Sequence, residues 1–364
     1  MSTIVKPNLR EVLSAKTKIY REANKAGMTL SAWLDREYPE VQKETGLDAF
    51  ETLLKEQGII VQSIPSKGIW ADKVEKFFVT EESSTLFPEY VNRTAREALQ
   101  DQSILDELVG LRTSIDSGSY STVRIDINED DVQKKRVVEG SELPEATITS
   151  TDANIKLRKY GRQVKVSYEA ARRTRIDKFA LCIKAIMNQA NLDRATAAYL
   201  TLINGDGNTG TAATVKKINA DYGGTKGTVD YKSWMKFRFG LYPHTLTTVV
   251  GNSDALVAFL SMEAPEIDPL KLIEQLRFGK TTEEGTMVQP VFGDYRIVLL
   301  EKATNNYLLG LDKRFALEMV TEIGADLAEV DKLVTTQWNV IALSEVNGFG
   351  IVLPKAKLVL DINN

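Results

Sequence analysis

The chain has 364 residues, with 46 Lys and Arg against 50 Asp and Glu and a formal net charge of −4 at pH 7. That balance excludes a protein that grips nucleic acid tightly, which needs a surplus of Lys and Arg to displace counterions. A single cysteine, Cys182, and a single histidine, His244, exclude an intramolecular disulfide and Cys- or His-clustered metal sites, and leave a Ser-His-Asp triad one candidate base.

Residues up to about 115 read as helices joined by irregular connections. Leu9, Val12, Leu13, Ile19, Tyr20 and Ala23 recur at three- and four-residue steps, with Gly27 as a C-terminal stop. Thr29 is the expected cap of "TLSAWLDREYP", which ends before Pro39. "GLDAFETLLKEQG" puts Leu47, Phe50, Leu53 and Leu54 on one face and stops at Gly58, and "FPEYVNRTAREAL" aligns Phe87, Tyr90, Val91, Ala95, Ala98 and Leu99. These stripes are narrow. Each helix either packs on a core of its own or leans on something larger, including another subunit.

From about residue 119 the period changes to two. "TVRIDINED" alternates Val123, Ile125 and Ile127 with Arg124 and Asp126, and "NIKLRKYGRQVKVS" alternates Ile155 and Leu157 with Lys156 and Arg158, then Val164 and Val166 beyond Gly161. The expectation is a long two-stranded ribbon with the polar middle "NEDDVQKKRVVEGSELPE". Such a hairpin has too few apolar residues to bury a core alone.

Ser167 is expected to cap "YEAARRTR", and Asp177 to open "KFALCIKAIMNQANLDRATAAYLTLI". Phe179, Ile183, Ile186, Ala190, Ala197, Leu200 and Ile203 form a stripe over about 26 residues, a rod of about 39 Å. It runs into Gly205-x-Gly207-x-x-Gly210, the spacing of a dinucleotide-binding turn, with Asp230 about 20 residues on. A dinucleotide turn follows a strand and opens a helix. Here the glycines follow a helix, and Thr211-Ala212 stands where a P-loop needs Lys-Ser/Thr. Gly205, Gly207 and Gly210 therefore read as a helix stop and tight turns.

Mixed α/β patterning follows to about 300. "DYKSWMKFRFGL" and "SDALVAFLSM" read as helices, the second capped by Ser253 or Asp254, while "TLTTVVGN" and "YRIVLLE" read as strands. From Asn306 on, strands dominate in "YLLGLD", "FALEMVTEI", "KLVTTQWNVIALSEV" and "GFGIVLPKAKLVLDI". Asn347-Gly348, between two apolar runs, is a hairpin-turn signal. No run approaches the ~18 apolar residues of a membrane span, and the N-terminus lacks an apolar signal core, so a soluble intracellular protein is expected.

Four stretches in order resemble the major capsid protein of tailed bacteriophages, the Hong-Kong-97-type shell protein. They are the ribbon middle "EGSELPEA" from Glu139 to Ala146, its return "KLRKYGRQVKVSYEAARRT" from Lys156 to Thr174, the long helix ending in "LINGDGNTG", and "QWNVIALSEVNGFGIVLPKA" from Gln337 to Ala356. The resemblance covers roughly Tyr120 to the C-terminus. It implies an α+β fold with a helical N-terminal arm over 1–117, an extended β-ribbon loop over 118–166 and a spine helix of a peripheral domain over 167–211. A mixed α/β axial domain over 212–305 and peripheral-domain strands over 306–364 complete it. A chain that starts at Met1 either keeps its arm or stands unprocessed, because many relatives lose an N-terminal scaffolding segment to a phage protease.

The function so implied is structural. Copies self-assemble as pentamers and hexamers into an icosahedral shell around double-stranded phage DNA, without sequence-specific binding, catalysis, cofactor, metal or membrane. The location is the virion, assembled in the host bacterial cytoplasm, with a portal and scaffold, protease or decoration proteins as further partners. An encapsulin-type compartment holding cargo enzymes is the alternative within the same fold, and a glycine-loop nucleotide enzyme or a monomeric binding module the alternatives outside it.

Lys134, Lys135, Arg136, Glu139, Gly140, Glu142 and Arg158 are the candidate contacts with neighbouring subunits, and Gly205, Gly207, Gly210, Asn347 and Gly348 the structural turns. Some relatives join subunits by a Lys–Asn isopeptide bond. Lys134 or Lys135 with Asn339 or Asn347 could do so here, against the plainer readings of a solvated charge run and a turn asparagine. His244, after Tyr242-Pro243, is expected at the surface or in a cap, and Cys182 in the core. Glu322, Asp326 and Glu329 read as an exposed acidic edge sooner than a divalent-ion site. Lys236 to Phe239, "KFRF", fits one face of an amphipathic helix as well as a single-strand binder.

Overall fold

The computed structural model describes residues 16–39, 41, 43, 46–100, 104–116, 119–126, 136, 149–208, 210–262, 295–323, 327–333 and 335–364. The chain forms two compact units. One takes the N-terminal stretch up to Gln102, Arg158–Ala190 and Glu322–Asn347, and the other takes Ser103–Leu157, Asn191–Thr321 and Gly348–Asn364.

Local signals set the helices of the first unit. Helix α1 (Lys16–Lys25) stops at Gly27, whose φ of 65° lets the Met28 N–H bond back to the Ala23 carbonyl at 3.0 Å. Helix α2 (Leu30–Glu37) starts at Thr29, whose hydroxyl accepts from the Ala32 N–H. Asp48 does the same for α3 (Ala49–Glu56), accepting from the Glu51 N–H at 2.7 Å. Helix α4 (Glu81–Gln100) begins six residues before the Phe87 start read from the apolar stripe. Its first turn is held by Thr80 and Ser83, each accepting the other's backbone N–H, and Pro88 lies inside it.

These helices close on a core of their own. Leu34, Phe50, Leu53, Phe77, Leu86, Phe87 and Val91 are fully buried and share one cluster with Ile176, Phe179, Ile183 and Ile341. Phe87 and Phe179 stack with centroids 5.8 Å apart. Each such side chain contributes about 1.5–3 kcal/mol on leaving water. The narrow stripes of the N-terminal helices are thus satisfied within the chain. Glu89, buried on α4, reaches the start of α2, accepting from both the backbone N–H and the hydroxyl of Ser31.

In the second unit a short helix α5 (Ile104–Leu108) leads to strand β1 (Leu111–Ile115). Strands β2 (Ser119–Asp126) and β3 (Thr149–Lys156) then form a two-stranded antiparallel ladder, with Tyr120 opposite Ile155 and Asp126 opposite Thr149. The ribbon read from the alternation extends through Val166, but the ladder ends at Lys156. Strand β4 (Arg158–Ser167) belongs to the first unit and pairs with a later strand there. A period of two says that a segment is a strand and not which partner it takes.

Ser167 caps α6 (Tyr168–Arg173), accepting from the Ala170 N–H. Helix α7 (Ile176–Asn204) follows, 29 residues and about 44 Å long. Asp177 lies within its first turn instead of capping it, and accepts from the hydroxyl of Ser63 at 2.7 Å. The buried line is Phe179, Ile183 and Met187, then Ala195, Ala198, Tyr199 and Leu202. Leu200, expected on the stripe, is exposed. Cys182, expected in the core, is exposed as well, because it sits one position before Ile183, on a neighbouring face of the helix.

The remaining strands are β5 (Thr214–Lys217), β6 (Thr248–Gly251), β7 (Arg296–Leu299), β8 (Tyr307–Leu311), β9 (Leu317–Glu322), β10 (Leu327–Leu333), β11 (Trp338–Ile351) and β12 (Lys357–Asp361). In the first unit β11 is flanked by antiparallel β4 and β10, so that Ile341 faces Val164 on one side and Val330 on the other. In the second unit the order β5-β12-β8-β6-β7 makes a mixed sheet, parallel at both edges and antiparallel between. Helix α8 (Tyr231–Phe239) is capped by Asp230. Helix α9 (Ser253–Leu260) is capped by Asn252, one residue before the expected Ser253 or Asp254. They bury Trp234, Phe237 and Phe259 against the sheet residues Val249, Leu308 and Leu360.

Candidate assembly elements

The turn after α7 explains its glycines. Helix α7 ends at Asn204, and Gly205, Gly207 and Gly210 have φ of 89°, 95° and 73°. Only glycine takes such values cheaply. Gly205 is also crowded: a Cβ there would lie 2.6 Å from the Thr211 hydroxyl. The Asp206 carboxylate accepts from the Asn208 N–H and, across the turn, from the Ile351 N–H, each at 3.0 Å. Burial pushes this carboxyl upward, but the bonds from Ile351, Asn208 and Thr211 outweigh it and hold the pKa below the usual range.

A buried lysine completes the turn. Lys357, on β12, donates from Nζ to the carbonyls of Leu202 and Thr211, each at 2.6 Å. The first is an end carbonyl of α7 with no partner inside the helix, where the dipole is negative and a cation is favoured. Burial pushes the ammonium pKa down from 10.5 to about 7, with Asp206 pulling against it. The site is built to satisfy carbonyls at a helix C-terminus. A pyrophosphate needs the opposite, free N–H groups at a helix N-terminus. Asp230, the acid at dinucleotide spacing, is occupied as the N-cap of α8 through the Ser233 N–H. Lys357 is not among the residues expected from the sequence to carry the turn. The sequence marks it only as a lysine directly before the apolar run "LVL", which gives no sign of the helix end it holds.

The second glycine stretch contradicts the hairpin expectation. Asn347 and Gly348 lie inside β11, which runs unbroken from Trp338 to Ile351, and neither has a positive φ. Gly348 and Gly350 provide space instead. A Cβ on Gly348 would lie 2.9 Å from the Lys156 carbonyl oxygen, and one on Gly350 would overlap the Ile155 side chain, 2.7 Å from its Cγ1. Asn347 is buried and donates to the Glu345 carboxylate at 3.1 Å. Asn339 is buried too. Both carboxamides are thus buried within the subunit.

No family model and no curated protein matches the sequence. Among solved structures, the capsid of a native GTA particle superposes with a TM-score of 0.50 at 13% identity, over 72% of this chain and 91% of that one. The fold is the capsid fold. Two further matches are the satellite phage P4 procapsid with its size determination (Sid) protein, at TM-score 0.46, 9% identity and 74% and 90% coverage, and a virus-like particle from Pyrococcus furiosus, at 0.44, 12%, 75% and 98%.

The other residues singled out from the sequence are placed only in part. Arg136 is exposed and Arg158 is exposed at the start of β4, opposite Asn347. Lys134, Lys135, Glu139, Gly140 and Glu142 lie outside the described residues. His244 is half-buried, its ring 5.6 Å from that of Phe315. Glu322 ends β9, Glu329 lies in β10 and Asp326 is outside the described residues; no group of three His, Cys, Asp or Glu among the described residues could hold a metal. In "KFRF", Phe237 is core, Lys236 donates to the Tyr222 carbonyl and Phe239 is exposed. No described helix is long and apolar enough to cross a membrane.

Proposed function

We propose that the chain is a structural major capsid protein whose copies assemble into an icosahedral shell around double-stranded phage DNA. The capsid fold carries this reading, supported by the β2/β3 ribbon, whose ladder takes no third strand among the described residues. A closed shell needs several different contacts per subunit, and a ribbon supplies area that a compact body lacks. Of the 118–166 read as the extended loop, 118–156 then serves as that loop, with Lys134, Lys135, Arg136, Glu139, Gly140 and Glu142 touching neighbours, and Arg158 does so from the start of β4, which pairs with β11. The stretch 167–211 serves as the spine and 1–117 as the N-terminal arm; 212–305 serves as the axial domain together with β8 and β12, which share its sheet, and the rest of 306–364 as peripheral strands. The role is non-catalytic and its place is the virion. A portal, and scaffold, protease or decoration proteins, complete assembly in the host cytoplasm.

The test is negative-stain microscopy and size-exclusion chromatography of the full chain, alone and with the scaffold of its own genome. Closed particles or pentamer- and hexamer-sized capsomers support the reading. Particles filled with enzyme cargo instead of DNA would move it to an encapsulin-type compartment. A monomer under both conditions would overturn it.

A further inference from the structure

The root of the ribbon packs against β11 at Gly348 and Gly350, within its own unit. Ile155, the next-to-last residue of β3, is 1% exposed, although Asn154 and Lys156 on either side of it are exposed. Its side chain enters the space left by the missing Cβ atoms of Gly348 and Gly350 on β11. Between those glycines Phe349 points the other way, into the core of the same unit with Tyr199, Leu309 and Ile351. Strand alternation thus puts both glycines on one face and an anchor on the other. Neither glycine needs a positive φ, so turn geometry does not explain either.

We propose that Ile155 and the Gly348/Gly350 notch form a knob and socket that sets the position of the β2/β3 ribbon on its unit, and that this position decides whether subunits can assemble. Ile155 pairs with Tyr120 across the ladder, so a shift of Ile155 is carried to both strands. The two glycines fail differently when filled. At Gly350 the obstacle is the Ile155 side chain, which a smaller residue at 155 would clear. At Gly348 the obstacle includes the Lys156 backbone carbonyl, which no side-chain change removes.

The experiment uses the full chain with Gly350→Ala, Ile155→Ala, both together, and Gly348→Ala with Ile155→Ala. Hydrogen exchange of the β2 and β3 amides in unassembled subunits is read beside particle yield, with circular dichroism melting as a control for the fold. Gly350→Ala should raise ribbon exchange and lower particle yield, each by about tenfold, in line with the cost of overpacking. The Gly350→Ala, Ile155→Ala pair should recover most of both, and the Gly348→Ala, Ile155→Ala pair should not. Parental exchange and yield in Gly350→Ala would overturn the proposal, as would a loss that Ile155→Ala leaves unrescued. The yield readout rests on the shell function proposed above and the exchange readout does not. Parent subunits that never assemble would therefore sink the shell function, while the knob and socket would still stand or fall on exchange.

Discussion

Two glycine stretches in the same unit, Gly205-x-Gly207-x-x-Gly210 and Gly348-Phe-Gly350, use the same residue for opposite reasons. In the first, all three glycines have positive φ and end a 29-residue helix, so what glycine supplies is backbone handedness. In the second, the backbone is ordinary strand, and glycine supplies room for another segment's side chain and carbonyl. Each stretch resembled something else in sequence, a dinucleotide turn and a hairpin. The difference between them is visible only once the neighbours are known. Gly207 and Gly350 make the contrast sharpest: the first has nothing within 4 Å of a would-be Cβ, and the second is filled by Ile155.

Substitutions should separate the two uses. Gly205→Val meets both obstacles, a φ of 89° and the Thr211 hydroxyl, and should cost about 3 kcal/mol in chemical denaturation. It should change no nucleotide binding, because none of the turn's geometry serves phosphate; a nucleotide affinity present in the parent and lost in this variant would contradict that. Lys357→Met leaves the Leu202 and Thr211 carbonyls without their donor and should cost about 2 kcal/mol, part of the loss being offset by removing a buried charge. Gly348→Ala, with relaxed φ but a carbonyl oxygen in the way, should cost about 1–2 kcal/mol. Gly207→Ala should cost only the backbone term, about 1 kcal/mol. If Gly207→Ala proved worse than Gly348→Ala, the division into handedness and space would be wrong.

Lys357 also predicts a pH dependence. Its ammonium pKa is about 7 in the folded chain against 10.5 for the unfolded group. Between those values the unfolded chain holds a proton that the folded one has lost, so this group makes stability rise with pH. Below about pH 7 both states are protonated and the contribution levels off at its least favourable. The parent should therefore gain stability from pH 7 towards pH 10 relative to Lys357→Met, measured as parallel denaturation midpoints. A difference that stays flat across that range would contradict the buried-charge account.

Local chemistry was legible in the sequence where it is decided locally. Thr29 and Ser167 are caps as their positions suggest, Gly27 and Gly58 are left-handed stops, and the ribbon strands announce themselves by alternation. What could not be read depends on partners distant in the chain. Alternation across Lys156 continues into Val164 and Val166, yet β4 leaves the ribbon for β11. Cys182 and Leu200 look like members of an apolar stripe, but the buried line along α7 runs beside them. Lys357 gives no local sign of the helix end it holds, 155 residues earlier. Nor did the narrow stripes of the N-terminal helices say that Phe179 and Ile183 would cover them.

The proposed shell function depends on the ribbon. The most direct measurement compares the full chain with a variant lacking residues 128–146, by microscopy and chromatography of both under identical assembly conditions. The full chain should give closed particles, and the variant a folded, soluble subunit that closes none. Normal particles from the variant would contradict it.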